Sequence, residues 1–246
     1  MDSVTTPAGA GVPASLEAAI AQARGATQAA IEAGVPRMMV ELVYSELKGL
    51  PVAAQFYPVL QELGLAFKIY FPDAGSAALA RRNWGNPEFV VRGIGELHSE
   101  MEPGDQAYLF VEPSSIEVSQ VEEMCAQAGD AFVIMLNPKL EDVATIGIGY
   151  AGRQLRDRFL STLEPVYYLR PLEGAVLLRC YPHPWQLWQE TDTGFTLLGE
   201  MPQKPSGEAI DRLLMGEAAA PDAAAPRGKR GGFLSELQGF IRALTQ

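Results

Sequence analysis

The sequence predicts an α/β fold: a Rossmann-like, mostly parallel sheet flanked by helices, continuing into antiparallel strands in the C-terminal half. Three observations predict it. Over roughly the first 140 residues, short and almost wholly apolar runs such as AFKIYFPD, QAYLFVEP and AFVIMLNP alternate with amphipathic stretches, the pattern of strands buried on both faces of a parallel sheet. Further on, PVYYLRPL, GAVLLRCYP, PWQLWQET and FTLLGE follow one another through connections too short for crossover helices, so these strands pair antiparallel. Finally, 48% of the residues are apolar and 20% charged, the composition of a chain that folds around a real core.

Residues 1–13 are small, aperiodic and rich in Gly and Pro, and read as a tail. The domain spans 14–215. Its first helix runs through SLEAAIAQARGATQAAIEAG, with Ser15 as N-cap, Gly34 beyond the end and Leu16, Ile20, Ala23, Thr27 and Ile31 on one face. RMMVELVY, after Pro36, is a buried strand. PVAAQFYPVLQEL is a helix with Val52, Phe56, Val59, Leu60 and Leu63 on one stripe, which Pro58 must kink or shorten. Then come the strand AFKIYFPD, the short helix SAALARRNW, a strand near EFVVRGI and the strand QAYLFVEP. SSIEVSQVEEMCAQAGD follows as a helix in which Ser114 and Glu117 have capping-box spacing and Val118, Val121, Cys125 and Ala128 share a face. After the strand AFVIMLNP comes a helix over 151–163, then the four antiparallel strands and a closing helix, SGEAIDRLLM.

Charge and residue usage exclude several functions. The net charge of -11 argues against nucleic acid as a partner, because phosphate binding needs clustered Lys and Arg. The two cysteines, Cys125 and Cys180, form no C-x-x-C pair and suit a reducing compartment. His98 and His183 are the only histidines, so a His-rich metal site is excluded and both read as structural or surface residues. No apolar run is long enough to span a bilayer, and MDSVTTPAGAGVPAS lacks the basic start and apolar core of a secretion signal. The protein is expected to stay on the side where it is made.

GIGYAG, with Gly147, Gly149 and Gly152, matches G-x-G-x-x-G and leads into a helix. A dinucleotide fingerprint, however, follows the first strand of its unit and is answered by an acidic residue on the second. Here the motif follows four α/β units, and the acidic residue near the right distance, Glu173, precedes Gly174 in a hairpin turn. The motif therefore reads as a glycine loop starting a helix. Arg153, Arg156 and Arg158 beside it could hold an anion or a partner's carboxylate; the plainer reading pairs them with Asp157 and Glu164.

Asp73, Glu112 and Asn137 each end a strand and lie beside a proline, in FPD, VEP and LNP. Ligands of open α/β sheets bind outside the carboxyl ends of the strands, so these residues could line one crevice, but Asp, Asn and Pro are also ordinary turn formers. The turn reading is favoured. The elbow G-x-S-x-G, the phosphate loop and H-E-x-x-H are missing, so no catalytic residue, cofactor or metal ligand is assigned. YPHPWQLWQE concentrates aromatics that could anchor a partner; Trp185 and Trp188, three apart in a strand, should face opposite sides of the sheet. Residues 216–232 have linker composition and carry Arg227, Lys229 and Arg230. Residues 233–246 then place Phe233, Leu234, Leu237, Phe240, Ile241 and Leu244 on one apolar helical stripe, weakened at Gly239. A basic linker followed by an amphipathic helix is the layout of an element that docks on a membrane surface or a partner.

AAIEAGVPRMMVEL, KIYFPDAGSAALARRNWG, VEPSS, LNPKLED, GIGYAGRQLRDRFLSTLEPVYYLRPL and LLRCYPHPWQLW, in this order between about residues 15 and 214, resemble an uncharacterised family of cyanobacteria and chloroplasts. That family includes the plant Low Photosystem II Accumulation 3 protein and a domain fused to a chloroplast adenylate kinase. The resemblance implies a non-enzymatic accessory role in building or maintaining photosynthetic complexes, with a complex subunit or assembly factor as partner. It also implies a cytoplasmic protein in a cyanobacterium, peripheral at the thylakoid. The alternative from another class is a small-anion or nucleotide-binding enzyme using the strand-end crevice and the Gly147–Gly152 loop.

Overall fold

The computed structural model describes residues 11–96, 101–140 and 150–216. Helix α1 (Leu16–Glu32) starts where the Ser15 side chain accepts a hydrogen bond from the Ala18 amide at 3.1 Å. It buries Leu16, Ile20 and Ile31 alternating with Ala19, Ala23, Ala26 and Ala30, small residues that let it lie close on the sheet. Gly34, just past its end, has φ +77°, the left-handed conformation that closes helices and suits glycine. Strand β1 (Arg37–Leu42) follows.

The expected helix over 51–63 is two helices, α2 (Gly49–Phe56) and α3 (Pro58–Glu62), broken at Tyr57. Proline has no N–H for the helical ladder and crowds the preceding turn, so it can only begin a helix, as Pro58 does. Strand β2 (Phe67–Phe71), helix α4 (Ala74–Asn83), strand β3 (Val90–Gly93) and strand β4 (Ala107–Val111) come next. Gly93 is required by packing, since a Cβ there would lie 2.7 Å from the backbone of Asp73 and Ala74. Helix α5 (Val118–Gln127) begins later than its capping signal predicts. The Glu117 carboxylate takes the Ser114 amide and hydroxyl at 3.0 and 2.6 Å, and Ser114 forms a bridge to Lys139, so residues 114–117 make a turn before the helix.

Strand β5 (Phe132–Leu136) precedes α6 (Tyr150–Arg158), which gives way to a 3-10 turn at Leu160–Thr162. The C-terminal part is a meander of β6 (Glu164–Leu172), β7 (Ala175–Cys180), β8 (Trp185–Thr191) and β9 (Gly194–Met201), closed by α7 (Gly207–Gly216).

These strands form a nine-stranded sheet in the order β3-β2-β4-β5-β1-β6-β7-β8-β9. All pairings from β3 to β6 are parallel and all from β6 to β9 antiparallel. Strand β6 is the seam, parallel to β1 on one side and antiparallel to β7 on the other. One face packs against α1, α2, α3 and α4, with Ile20, Phe56, Leu60 and Ala77 in its core. The other packs against α5 and α6 through Val121, Cys125 and Leu155, and against α7 through Ile210.

Fully buried Ile69, Leu109, Ile134 and Val40 on neighbouring strands each contribute about 1.5–3 kcal/mol of burial. Lys68 is the polar exception in β2. Its ammonium is buried but meets Glu102 and Asp105 at 2.7 and 2.9 Å, and Asp105 also accepts the Tyr108 hydroxyl at 2.9 Å. Without those partners the buried charge would be strongly destabilising.

Candidate functional site at the strand ends

Helices α2 and α4, which follow β1 and β2, lie on one face, while α5 and α6, which follow β4 and β5, lie on the other. Because β2 neighbours β4 and β1 neighbours β5, adjacent strands twice send their chains to opposite faces. Open α/β sheets bind ligands at such switch points. Asp73, Glu112 and Asn137 stand at these ends, as the sequence predicts.

Each of the three is bound to the chain itself. Asp73 caps α4: its carboxylate accepts from the Ser76 amide at 2.8 Å and the Ser76 hydroxyl at 2.7 Å, and these bonds hold its carboxyl below the usual range. Glu112 reaches from the end of β4 to the start of α2, where it accepts from the Gly49 amide at 3.0 Å, and its other oxygen meets Lys139 at 3.2 Å. Helix α2 has no side-chain cap of its own, so the Glu112 carboxylate sits where an external anion would sit on a helix N-terminus. A Cβ on Gly49 would collide with the Glu112 side chain. Asn137 is buried; its side-chain oxygen accepts from the Leu42 amide at 2.7 Å while its own amide donates to the Val40 carbonyl at 2.8 Å. Glu112 and Asn137 have φ +48° and +50°, so both strands turn sharply into the bonds just described.

Of the glycine motif, Gly147 and Gly149 lie outside the described residues, and Gly152 lies in α6. Arg153 and Arg156 lie on the exposed surface of α6. Arg158 forms a two-point ion pair with Glu122 at 2.6 and 2.9 Å, and this pair lowers the Glu122 pKa. Glu164, one of the carboxylates that the sequence offers to these arginines, instead meets Arg179 at 3.1 Å. Arg227, Lys229, Arg230 and the stripe Phe233, Leu234, Leu237, Phe240, Ile241 and Leu244 lie outside the described residues.

The tryptophans face opposite sides of the sheet. Trp185 is buried against Tyr168, with ring centroids 5.1 Å apart. Trp188 is half-buried on the α1 face, its indole N–H donating to Gln186 at 3.2 Å, and Leu197 lies across from it, 39% exposed. Burial pushes the thiols of Cys125 and Cys180 up to about 12 and about 11, so neither is a thiolate nucleophile near neutral pH. Among the described residues no group of His, Cys, Asp and Glu could hold a metal ion, and no helix is long and apolar enough to cross a membrane.

Sequence reasoning passes over one residue. Glu41 lies near the carboxyl end of β1, opposite Tyr168 of β6. One of its carboxylate oxygens is buried without a hydrogen-bond partner. Burial raises its pKa, and the Lys204 ammonium partly offsets this. The signal was a lone acidic residue inside the apolar run RMMVELVY, but nothing local tells a buried Glu from one at a solvated strand end.

A family described as a domain of unknown function, DUF1995, matches residues 13–212, a span that takes in all nine strands.

Proposed function

From the premise that the chain belongs to the DUF1995 family, we propose that it is a non-enzymatic accessory protein for photosynthetic complexes, working by protein–protein contact at the thylakoid surface. The observation that carries this reading is the use of the strand-end polar groups. Asp73 and Glu112 cap the chain's own helices, and Asn137 binds the Leu42 amide. Groups committed in this way stiffen the sheet and are not held ready for a substrate. Trp188 and Leu197, partly open on the outer strands, supply the kind of apolar surface that anchors a protein partner.

The closer relationship, to the Low Photosystem II Accumulation 3 protein and the domain fused to a chloroplast adenylate kinase, belongs to the same proposal and rests on the stretches quoted from the sequence. So do the partner, a complex subunit or assembly factor, and the location, cytoplasmic and peripheral at the thylakoid. In this reading residues 216–246 tether the domain to lipid or partner, with Arg227, Lys229 and Arg230 each adding about 1 kcal/mol near an anionic surface.

The test is affinity capture from solubilised thylakoids with the full chain and with a chain ending at Met215, the captured proteins identified by mass spectrometry. A photosystem or antenna subunit retained by the full chain and lost with the shortened one is the expected result. Retention of no such subunit by either chain overturns the proposal. The exposed Arg153 and Arg156 favour a second reading, small-anion binding. Calorimetric titration with nucleotides and phosphorylated metabolites at about 100 µM protein decides it, heat of binding being its expected signature.

A further inference from the structure

Across the seam, register places Glu41 of β1, Tyr168 of β6, Arg179 of β7 and Trp185 of β8 in one row on the face that α7 covers. Tyr168 and Trp185 are 3% and 4% exposed, and their ring planes meet at 58°, forming two walls of an angle. Into this angle comes the Lys204 ammonium, 4.0 Å from the Tyr168 ring centroid and 5.6 Å from that of Trp185. Glu41 feels the same ammonium and keeps a buried oxygen without a hydrogen-bond partner. Two aromatic faces at one ammonium, with a carboxylate near enough to feel its charge, are the chemistry that recognises alkylammonium groups.

Lys204 itself is weakly held. It lies in PQKPS, residues 202–206, between β9 and α7, where Pro202 and Pro205 have no N–H to donate. Among the described residues, no backbone hydrogen bond ties residues 203–205, and the Lys204 side chain is exposed. The ammonium therefore stays over the rings through its own contacts, and a segment held by one side chain can be displaced by a competitor with the same chemistry.

We propose that Glu41, Tyr168 and Trp185 form a binding site for an alkylammonium group, with Lys204 as the resident occupant that an external amine displaces. The site recognises a cation on a short aliphatic stem, such as a free amine or a lysine side chain. Its location on the face opposite Trp188 separates it from the Trp188–Leu197 surface.

The test uses the full chain, the Lys204→Ala variant and the Lys204→Ala/Glu41→Gln double variant. Each is titrated with tetramethylammonium chloride and with n-butylammonium chloride and followed through the Trp185 indole N–H resonance, with sodium chloride of equal ionic strength as control. Lys204 is exposed, so its removal leaves the fold intact, which the remaining amide resonances verify. Removing the resident ammonium should tighten binding of at least one probe about tenfold relative to the unaltered chain, and Glu41→Gln should then weaken it about fivefold. Preference for n-butylammonium is the expected result, and preference for tetramethylammonium would overturn the recognition of an aliphatic stem. Absence of binding to Lys204→Ala, equal affinity with and without Lys204, or equal affinity with and without the Glu41 carboxylate would each overturn the proposal.

Discussion

Strands β2, β4 and β5 are covered by helices on both faces, and their carboxyl ends are closed by the chain's own polar groups. The meander β6–β9 is built differently. Burial falls away toward its outer edge, every position of β9 is exposed or half-buried, and Leu197 stands open. The two halves share one sheet but divide its tasks. The parallel half is the enclosed part, and the antiparallel half carries Trp188 and Leu197 partly open on one face and the buried Tyr168–Trp185 pair beneath the exposed Lys204 on the other.

The largest effect expected from this division lies at Asn137. Asn137→Ala leaves the Leu42 amide without its acceptor and puts an alanine at φ +50°. A buried unpaired donor together with left-handed strain costs about 3 kcal/mol, read as a fall in the denaturation midpoint at unchanged slope. A cost below about 1 kcal/mol would break the claim that the strand ends stiffen the parallel half.

The next effect is at the seam and has the opposite sign. Because burial raises the Glu41 pKa, the folded chain holds a proton at a pH where the unfolded chain has released it. That residue's contribution to stability therefore falls as pH rises through the folded pKa. Glu41→Gln should stabilise the protein by about 1 kcal/mol at neutral pH and by nothing below about pH 4, where the carboxyl is protonated in both states. Chemical denaturation of the two proteins at pH 4 and pH 7 checks the sign, and a gain that persists at pH 4 would assign it to packing rather than charge. Smallest is Leu197→Ser on β9, expected to cost under about 1 kcal/mol and, if the proposed partner role holds, to reduce capture of thylakoid protein. Unchanged capture would remove Leu197 from the contact surface.

The central parallel strands were legible because each is a short apolar run, the C-terminal ones because their connections are short, and α1 because its cap and stripe are local features. Pro58 announced the break between α2 and α3. The neighbours were not legible. That β6 returns beside β1, and that Glu112 reaches the start of α2, depend on contacts between residues far apart in sequence. Asp73, whose partner is three residues away, could therefore be read as a local turn residue, though not as the cap of α4, while the role of Asn137 could not be read until β5 was known to lie against β1. Glu41 and Lys204 escaped for the same reason: one lies in an apolar strand that register sets beside Tyr168, the other in a proline-bounded loop that folds back over the same ring.

The position of β1 in the sheet has a consequence for how the protein is made. It is the first strand to be synthesised, yet its two neighbours are β5 and β6, at residues 132–136 and 164–172. On the ribosome the apolar segment RMMVEL therefore waits with both hydrogen-bonding edges open until β5 is made and with one open until β6 is complete, on the order of ten seconds in all. The hairpins β6–β7 and β7–β8, closed by local turns, need no such wait. The topology thus requires the earliest of these strands to stay protected until its latest parallel partner arrives.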